Sequence, residues 1–160
     1  MSHALIPGSF DPMTLGHLDV VKRARAYYDK VTVAVLINES KHYLCSLAER
    51  EEIARMTLSH YPDVAVVSDS GLLVDVFDRV GADVIVKGVR NEVDRAYEEE
   101  MARVNLSLNP RAVTVLLEAS DDFENISSTR VREALDKGEP LDDLLHPDVI
   151  RYFENRKANT

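Results

Sequence analysis

Five short apolar runs, mostly β-branched, constrain this chain more than any other feature. They are Ala4–Ile6, Val31–Ile37, Val64–Val67, Val84–Val86 and Val113–Leu117. Their hydrophobicity is close to continuous rather than alternating, the pattern of strands covered on both faces, as in a parallel sheet. Amphipathic helical segments separate them. Gly16–Asp29 sets Val20, Val21, Ala24 and Tyr28 at helical spacing. Ser46 and Glu49 form an S-x-x-E capping box ahead of Leu47, Ile53, Met56 and Thr57. Leu72–Val80 predicts a third helix closed by Gly81, and Asn91–Leu108 a long fourth one stopped before Pro110. Ser127–Asp136 predicts a fifth, ending at Gly138, and Pro147 opens a short terminal helix to about Phe153, followed by a polar, fraying Asn155–Thr160. Strand and helix in strict alternation call for right-handed crossovers. The fold expected is α/β: a Rossmann-like, doubly wound, five-stranded parallel sheet with helices on both faces, one domain over residues 1–160.

In such sheets ligands bind beyond the carboxyl ends of the strands, so the residues following each strand matter most. The first strand is followed by Pro7-Gly8-Ser9-Phe10-Asp11-Pro12-Met13-Thr14-Leu15-Gly16-His17, and the second by Asn38-Glu39-Ser40-Lys41. Lys87-Gly88-Val89-Arg90 follows the fourth, and Ser120 through Thr129 the fifth. Three cations on one rim stand out, because the chain as a whole has 19 Lys+Arg against 28 Asp+Glu and a formal charge of −9. That balance argues against a general nucleic-acid binder, whose affinity comes from clustered cations on phosphates. A few local cations suffice for a small polyphosphate. One cysteine, Cys45, gives no internal disulfide, and no apolar stretch is long enough for a membrane span or a signal peptide. The expectation is a cytoplasmic protein acting on an anionic small molecule, with no nucleic acid or membrane partner.

Each rim feature also has a plain structural reading. Gly8 and Gly16 could only shape a tight turn; they match neither G-x-G-x-x-G nor G-x-x-x-x-G-K-[ST], so a nicotinamide, flavin or P-loop site is not supported. His17 opens the first helix, where Thr14 is a natural N-cap that would aim the imidazole across the strand ends. Ser127-Ser128-Thr129 serves equally as an N-cap or as a phosphate-binding helix start; the three cations favour the phosphate. Asp94 to Glu100 reads as a solvated helix face with an Arg95–Glu99 pair. His3, His42, His60 and His146 show no metal-ligand spacing with each other or with Cys45. No G-x-S-x-G element or partner for Cys45 suggests covalent catalysis.

The set Pro7-Gly8-Ser9-Phe10-Asp11-Pro12, Thr14-Leu15-Gly16-His17, Lys41, Lys87-Gly88-Val89-Arg90, Tyr97-Glu98 and Ile126-Ser127-Ser128-Thr129 resembles the nucleotidyltransferase superfamily with T-x-G-H and I-S-S-[ST] motifs. More narrowly it resembles the bacterial phosphopantetheine adenylyltransferases, over essentially the whole chain. Most other relatives, nicotinate mononucleotide adenylyltransferases included, have histidine where Thr14 stands. The chain departs from the family in Arg95-Ala96 for the usual Phe-Glu, Ile6 for a frequent tyrosine, Phe123 for a frequent tryptophan, and Asn38-Glu39-Ser40-Lys41 for N-P-x-K. The resemblance implies an enzyme that transfers AMP from ATP to 4′-phosphopantetheine, giving dephospho-coenzyme A and pyrophosphate. It implies His17, Lys41 and Lys87 as the catalytic residues. ATP would be held by Ser9, Phe10, His17, Gly88, Val89, Arg90, Glu98 and the run Phe123, Glu124, Asn125, Ile126, Ser127, Ser128, Thr129. Ser9, Lys41, Leu73 and Lys87 would hold the acceptor. Mg2+ would arrive with the nucleotide rather than in a protein cage, the ligands would include dephospho-coenzyme A or coenzyme A, and the assembly would be a homohexamer. The alternatives are a nicotinate mononucleotide adenylyltransferase, against which Thr14 speaks, and a regulator that binds nucleotide or coenzyme A without catalysis, against which His17, Lys41 and Arg90 together speak.

Overall fold

The computed structural model describes residues 2–38 and 41–158. Its elements in chain order are β1 (His3–Gly8), α1 (Leu15–Tyr27), β2 (Lys30–Leu36), α2 (Leu47–Thr57), β3 (Ala65–Asp69), α3 (Leu73–Val80), β4 (Val84–Val89), α4 (Glu92–Leu108), β5 (Thr114–Glu118), α5 (Ser128–Lys137) and α6 (Pro147–Ala158). Every strand pair is parallel, and the order across the sheet is β3-β2-β1-β4-β5. The α/β sheet expected from the apolar runs is therefore present. Its order reverses direction between β1 and β4, where open α/β sheets form their crevice.

Single-residue alternation assigns each strand side chain to a face. Ala4, Ile6, Val33 and Val35 meet Val20, Val21 and Ala24 of α1 and Ala54 of α2. Leu5, Ala34 and Ile85 face the other way, onto Val74, Val76 and Phe77 of α3. A third cluster packs Val131 and Ala134 of α5 and Val149 and Phe153 of α6 against Ile53 of α2 and Cys45. Each fully buried Val, Leu or Phe removes enough apolar area to contribute about 1.5–3 kcal/mol.

Local chemistry sets the helix ends. Thr14, Ser46, Asn91 and Ser127 each accept a backbone N–H of the first turn, and Gly81 and Gly138 close α3 and α5 at φ 75° and 69°, the left-handed region. Several ends differ from expectation by one or two residues, β3 running to Asp69 for instance, and three further differences matter for the packing and the site. α6 runs on to Ala158 instead of stopping near Phe153, because Tyr152 and Arg156 find partners on the α2 side: Tyr152 donates to Glu49 Oε2 at 2.8 Å and Arg156 to the Leu44 carbonyl at 3.2 Å. Of the terminal Asn155–Thr160 run, Asn159 and Thr160 lie outside the described residues, as do Glu39 and Ser40 after β2. β1 includes Pro7 and Gly8, and β4 includes Lys87, Gly88 and Val89, all read from the sequence as loop.

These extensions create the crevice. β1 pairs with β2 from His3↔Lys30 to Gly8↔Val35, but with β4 only at Ala4↔Val84 and Leu5↔Ile85. Pro7, two residues on, has no N–H to extend a ladder. Beyond Leu5 the two central strands run side by side unpaired, and the gap between their ends is the floor of the site.

Candidate active site

The turn after β1 is built around a buried ring. Phe10 has a φ of 47° and 5% exposure, a left-handed conformation that costs energy for a non-glycine residue and persists only where packing enforces it. Its ring lies against Gly8, where an added Cβ would come within 3.0–3.3 Å of three ring atoms. Gly88 on β4 is there for the same reason: a Cβ would stand 2.7 Å from Val20 Cγ2 of α1. The two glycines let α1 and the Phe10 turn sit close on the ends of the central strands.

His17, in the first turn of α1, stacks edge-on with Phe10 at 4.9 Å between centroids. Its Nδ1 accepts the Thr14 N–H at 3.0 Å and lies 3.2 Å from Thr14 Oγ1, which in turn accepts the His17 N–H at 3.3 Å. This is a reciprocal capping box with histidine in the place usually held by Glu or Gln. Because Nδ1 is an acceptor, the neutral ring carries its proton on Nε2, the atom left to serve the crevice. Burial, then Lys87 and Arg90, lowers the His17 pKa to about 3, so the ring is neutral at any ordinary pH. The residue is a fixed neutral donor rather than a titrating base.

The expected cations gather on the same rim, and two of them are already partnered. Lys87 Nζ donates to the Pro7 carbonyl at 3.2 Å, across the unpaired β1–β4 gap, and stands 3.6 Å from Glu98 of α4. Arg90 pairs with Asp94 at 3.0 Å. Lys41 is exposed on the loop after β2, and among the described residues no carboxylate lies within ion-pair distance of it. At the start of α5, Ser127 caps the helix through Arg130 N–H, and Ser128 donates to the Pro12 carbonyl at 2.8 Å. The second bond ties the α5 N-terminus, whose first N–H groups have no partner within the helix, to the Phe10 turn.

Two adjoining hollows result. The first, about 730 Å³, is lined by Ser9, Phe10, His17, Lys41, Lys87, Gly88, Val89, Arg90, Glu98, Phe123, Ile126, Ser127, Ser128 and Thr129. The second, about 690 Å³, is lined by Ser9, Lys41, Leu73, Lys87 and Glu98, together with Met101 and Asn105 of α4. Both are in the size range of small-molecule sites. Ser9, Lys41, Lys87 and Glu98 border both, with Pro7, Gly8 and Tyr97, so they stand where the hollows meet. Of the expected residues, Glu124 and Asn125 line neither hollow. They are exposed, and the Asn125 carbonyl is taken by Arg130.

Sequence reasoning missed Arg132, Asp11, Tyr43 and Arg50. Arg132 borders the first hollow, donates to the Asp11 carbonyl at 2.9 Å and reaches Thr129 Oγ1 at 3.0 Å. It stands four residues after Ser128, hence on the same helix face, a spacing that could have found it. The Asp11 carboxylate is buried and accepts the N–H groups of Leu44 and Cys45 at 2.7 and 2.9 Å. Cys45 is 1% exposed, and burial, then Asp11, pushes its thiol up to about 11, so it is not a nucleophile here. Arg95 lies nearer Glu118 of β5, at 2.8 Å, than Glu99, at 3.9 Å.

Residues 5–134 match the cytidylyltransferase-like family model. A phosphopantetheine adenylyltransferase of Symbiobacterium thermophilum is 41% identical over 160 residues, covering 100% of this chain and 99% of its own. The chain belongs to the phosphopantetheine adenylyltransferase family. Family members from Cupriavidus taiwanensis and Limosilactobacillus reuteri are 42% identical over 158 residues and 36% over 156, covering 98% and 90% of their own lengths and 99% and 98% of this chain. Among solved structures, a proposed nicotinate-nucleotide adenylyltransferase from Vibrio parahaemolyticus superposes with a TM-score of 0.69 over 96% of this chain and 99% of its own. At 17% identity it speaks for the fold alone. In the Thr14-x-Gly16-His17 turn, the Thr14 side chain caps α1 while its backbone N–H fixes the His17 tautomer.

Proposed function

We propose that the chain transfers the adenylyl group of ATP to 4′-phosphopantetheine, giving dephospho-coenzyme A and pyrophosphate. The observation that carries this reading is the junction of two hollows at Ser9, Lys41 and Lys87. A nucleotide in the first and a phosphorylated acceptor in the second would meet there, head to head. An oxygen of the acceptor phosphate attacks the α-phosphorus, the bond from that phosphorus to the bridging oxygen breaks, and pyrophosphate leaves with the electron pair. The attacking oxygen is already anionic, so no protein base or nucleophile is required; positioning and electrostatics carry the step.

His17 Nε2–H is the fixed donor for charge building on the α-phosphate, aided by Ser9. Lys41 and Lys87 hold the acceptor phosphate. Arg90 and the α5 start at Ser127, Ser128 and Thr129 hold the β- and γ-phosphates, while Phe10, Gly88, Val89, Glu98, Phe123 and Ile126 enclose the nucleotide. Leu73 and the apolar side of the second hollow take the pantetheine arm. Mg2+ fits as an ion carried by the nucleotide, because the donors around the first hollow are mostly cations and hydroxyls; bound there it would offset phosphate charge.

α4 supports an assembled form, and the homohexamer that the resemblance implies is the form proposed. Val93, Tyr97, Met101, Val104 and Leu108 repeat at helical spacing and are 37–80% exposed, a stripe of the kind that marks interfaces. A cytoplasmic location fits a chain with one unpaired cysteine. Pyrophosphate release with ATP and each acceptor tests the reading. Phosphopantetheine should support it, whereas nicotinate mononucleotide and unphosphorylated pantetheine should be poor; equal turnover with nicotinate mononucleotide would refute it.

A further inference from the structure

We infer that Tyr43, seated on the buried Arg50, is a positioning residue that sets Lys41 at the junction of the two hollows. Arg50 is 1% exposed, and among the described residues it has no carboxylate partner. Its guanidinium is satisfied by carbonyls instead: Nη1 donates to Ser9 and to Leu36, each at 2.8 Å, and Nε to Cys45 at 3.2 Å. One side chain thus joins the turn after β1, the end of β2 and the segment before α2. The ring of Tyr43 lies over that guanidinium at 4.0 Å, a cation–π contact strengthened by burial. The Tyr43 hydroxyl accepts the Asn38 N–H at 2.5 Å and donates to the Asn38 carbonyl at 3.3 Å. That carbonyl also accepts the Lys41 N–H at 3.0 Å.

The result is an unbroken physical chain from the core to the Lys41 backbone. Without it, an exposed lysine on a loop leaving a strand end would sample many positions, and ordering it would weaken ligand binding. The Tyr43 hydroxyl also lies 3.4 Å from Ser9 Oγ, a longer contact than those to Asn38, so the main effect of Tyr43 should run through Lys41 and appear when a ligand uses it.

The inference rests on the reading of Lys41 as the acceptor-phosphate residue, and a double-mutant cycle separates the two. Phosphopantetheine and ATP binding would be measured by calorimetry on the wild type, Tyr43→Phe, Lys41→Ala and the double variant, with thermal midpoints alongside. Tyr43→Phe keeps the stack on Arg50 and removes only the hydroxyl, so the fold should hold. We expect about fivefold weaker phosphopantetheine binding, the worth of one ordinary hydrogen bond, with ATP binding within twofold. In the Lys41→Ala background the same substitution should have no further effect. If Lys41→Ala weakens phosphopantetheine binding and Tyr43→Phe does not, or does so equally in both backgrounds, the positioning role is overturned. If Lys41→Ala leaves phosphopantetheine binding intact, the acceptor assignment itself falls, and this inference with it.

Discussion

Replacing His17 by alanine should separate catalysis from folding, because the imidazole serves each through a different nitrogen. Nε2 is the proposed donor to the α-phosphate, and losing one such preorganised donor costs about 10²–10³ in kcat. Its effect belongs to the transition state, so ATP affinity should change far less. Nδ1 holds the Thr14 N–H at 3.0 Å, and a lost cap bond costs about 1 kcal/mol. For a domain of this size that lowers Tm by roughly 2–4 °C. From the sequence, a first-turn histidine at the rim carries little of the fold; the capping box gives it this modest share. Thr14→Ala is the matched control: it removes the other half of the cap at a similar cost in Tm, yet leaves the imidazole, so kcat should stay within a few-fold. kcat, ATP affinity and thermal midpoint would be measured on all three proteins. A His17→Ala enzyme within threefold of wild-type kcat would refute the donor role. A titration near pH 6.5 in the wild-type kcat/KM profile, which reports the free enzyme, that vanishes in the variant would refute the fixed neutral tautomer, since a ring with a pKa of about 3 does not titrate there.

Three further outcomes follow from the same geometry. Lys41→Ala should chiefly weaken phosphopantetheine and Arg90→Ala chiefly ATP, each by the worth of a charge-assisted contact, on the order of 1.5–3 kcal/mol; loss of the same substrate in both variants would refute the division of labour. Stability should fall on acidification from about pH 6.5 downward, because burial depresses the pKa of both His17 and His3 and the unfolded chain then binds more protons. Each histidine contributes a slope of up to about 1.4 kcal/mol per pH unit, so urea midpoints across pH 5–7.5 should show a shallower slope for His17→Ala than for wild type. Gly88→Ala should destabilise by about 1–3 kcal/mol through overpacking, and Val20→Ala, which removes the atom 2.7 Å from the new methyl, should restore much of the Tm.

The sheet was legible because strands buried on both faces leave nearly unbroken apolar runs, and the helices because Ser46, Asn91, Gly81 and Gly138 mark their ends. The strand ends were less legible. Pro7 and Gly88 are poor strand residues by propensity, yet Pro7 lies where the β1–β4 ladder has already stopped, and Gly88 is required by Val20. Reading outward from the strand ends brought His17, Lys41, Lys87 and Arg90 to one rim. It could not find Asp11, Tyr43 or Arg50, whose partners are backbone groups 33, 5 and up to 41 residues away. Polar side chains whose partners are backbone groups of another segment leave no periodic trace. Glu124 and Asn125, taken from a contiguous motif, are exposed beside the first hollow rather than lining it.

The rim of an acidic chain also explains how it can hold cations without attracting every anion. Lys87 rests on Glu98 and the Pro7 carbonyl, Arg90 on Asp94, and Arg132 on the Asp11 carbonyl. Binding a polyphosphate is therefore an exchange of partners rather than the neutralisation of bare charges. An exchange favours a ligand only by the difference between the new contact and the old one, so a single phosphate gains little from any one of these residues. On the proposed assignment, a triphosphate engaging Arg90 and the α5 start together would gain both differences at once, while losing its own freedom only once. Lys41 lies outside this arrangement: its nearest anchor is the Asn38 turn held by Tyr43. On the proposed assignment the acceptor side, shared by Lys41 with the paired Lys87, would depend on where one exposed lysine is held, and the nucleotide side on how many existing pairs are exchanged together. The first should respond to changes in the loop and, because Lys41 is exposed, to ionic strength more steeply than the second.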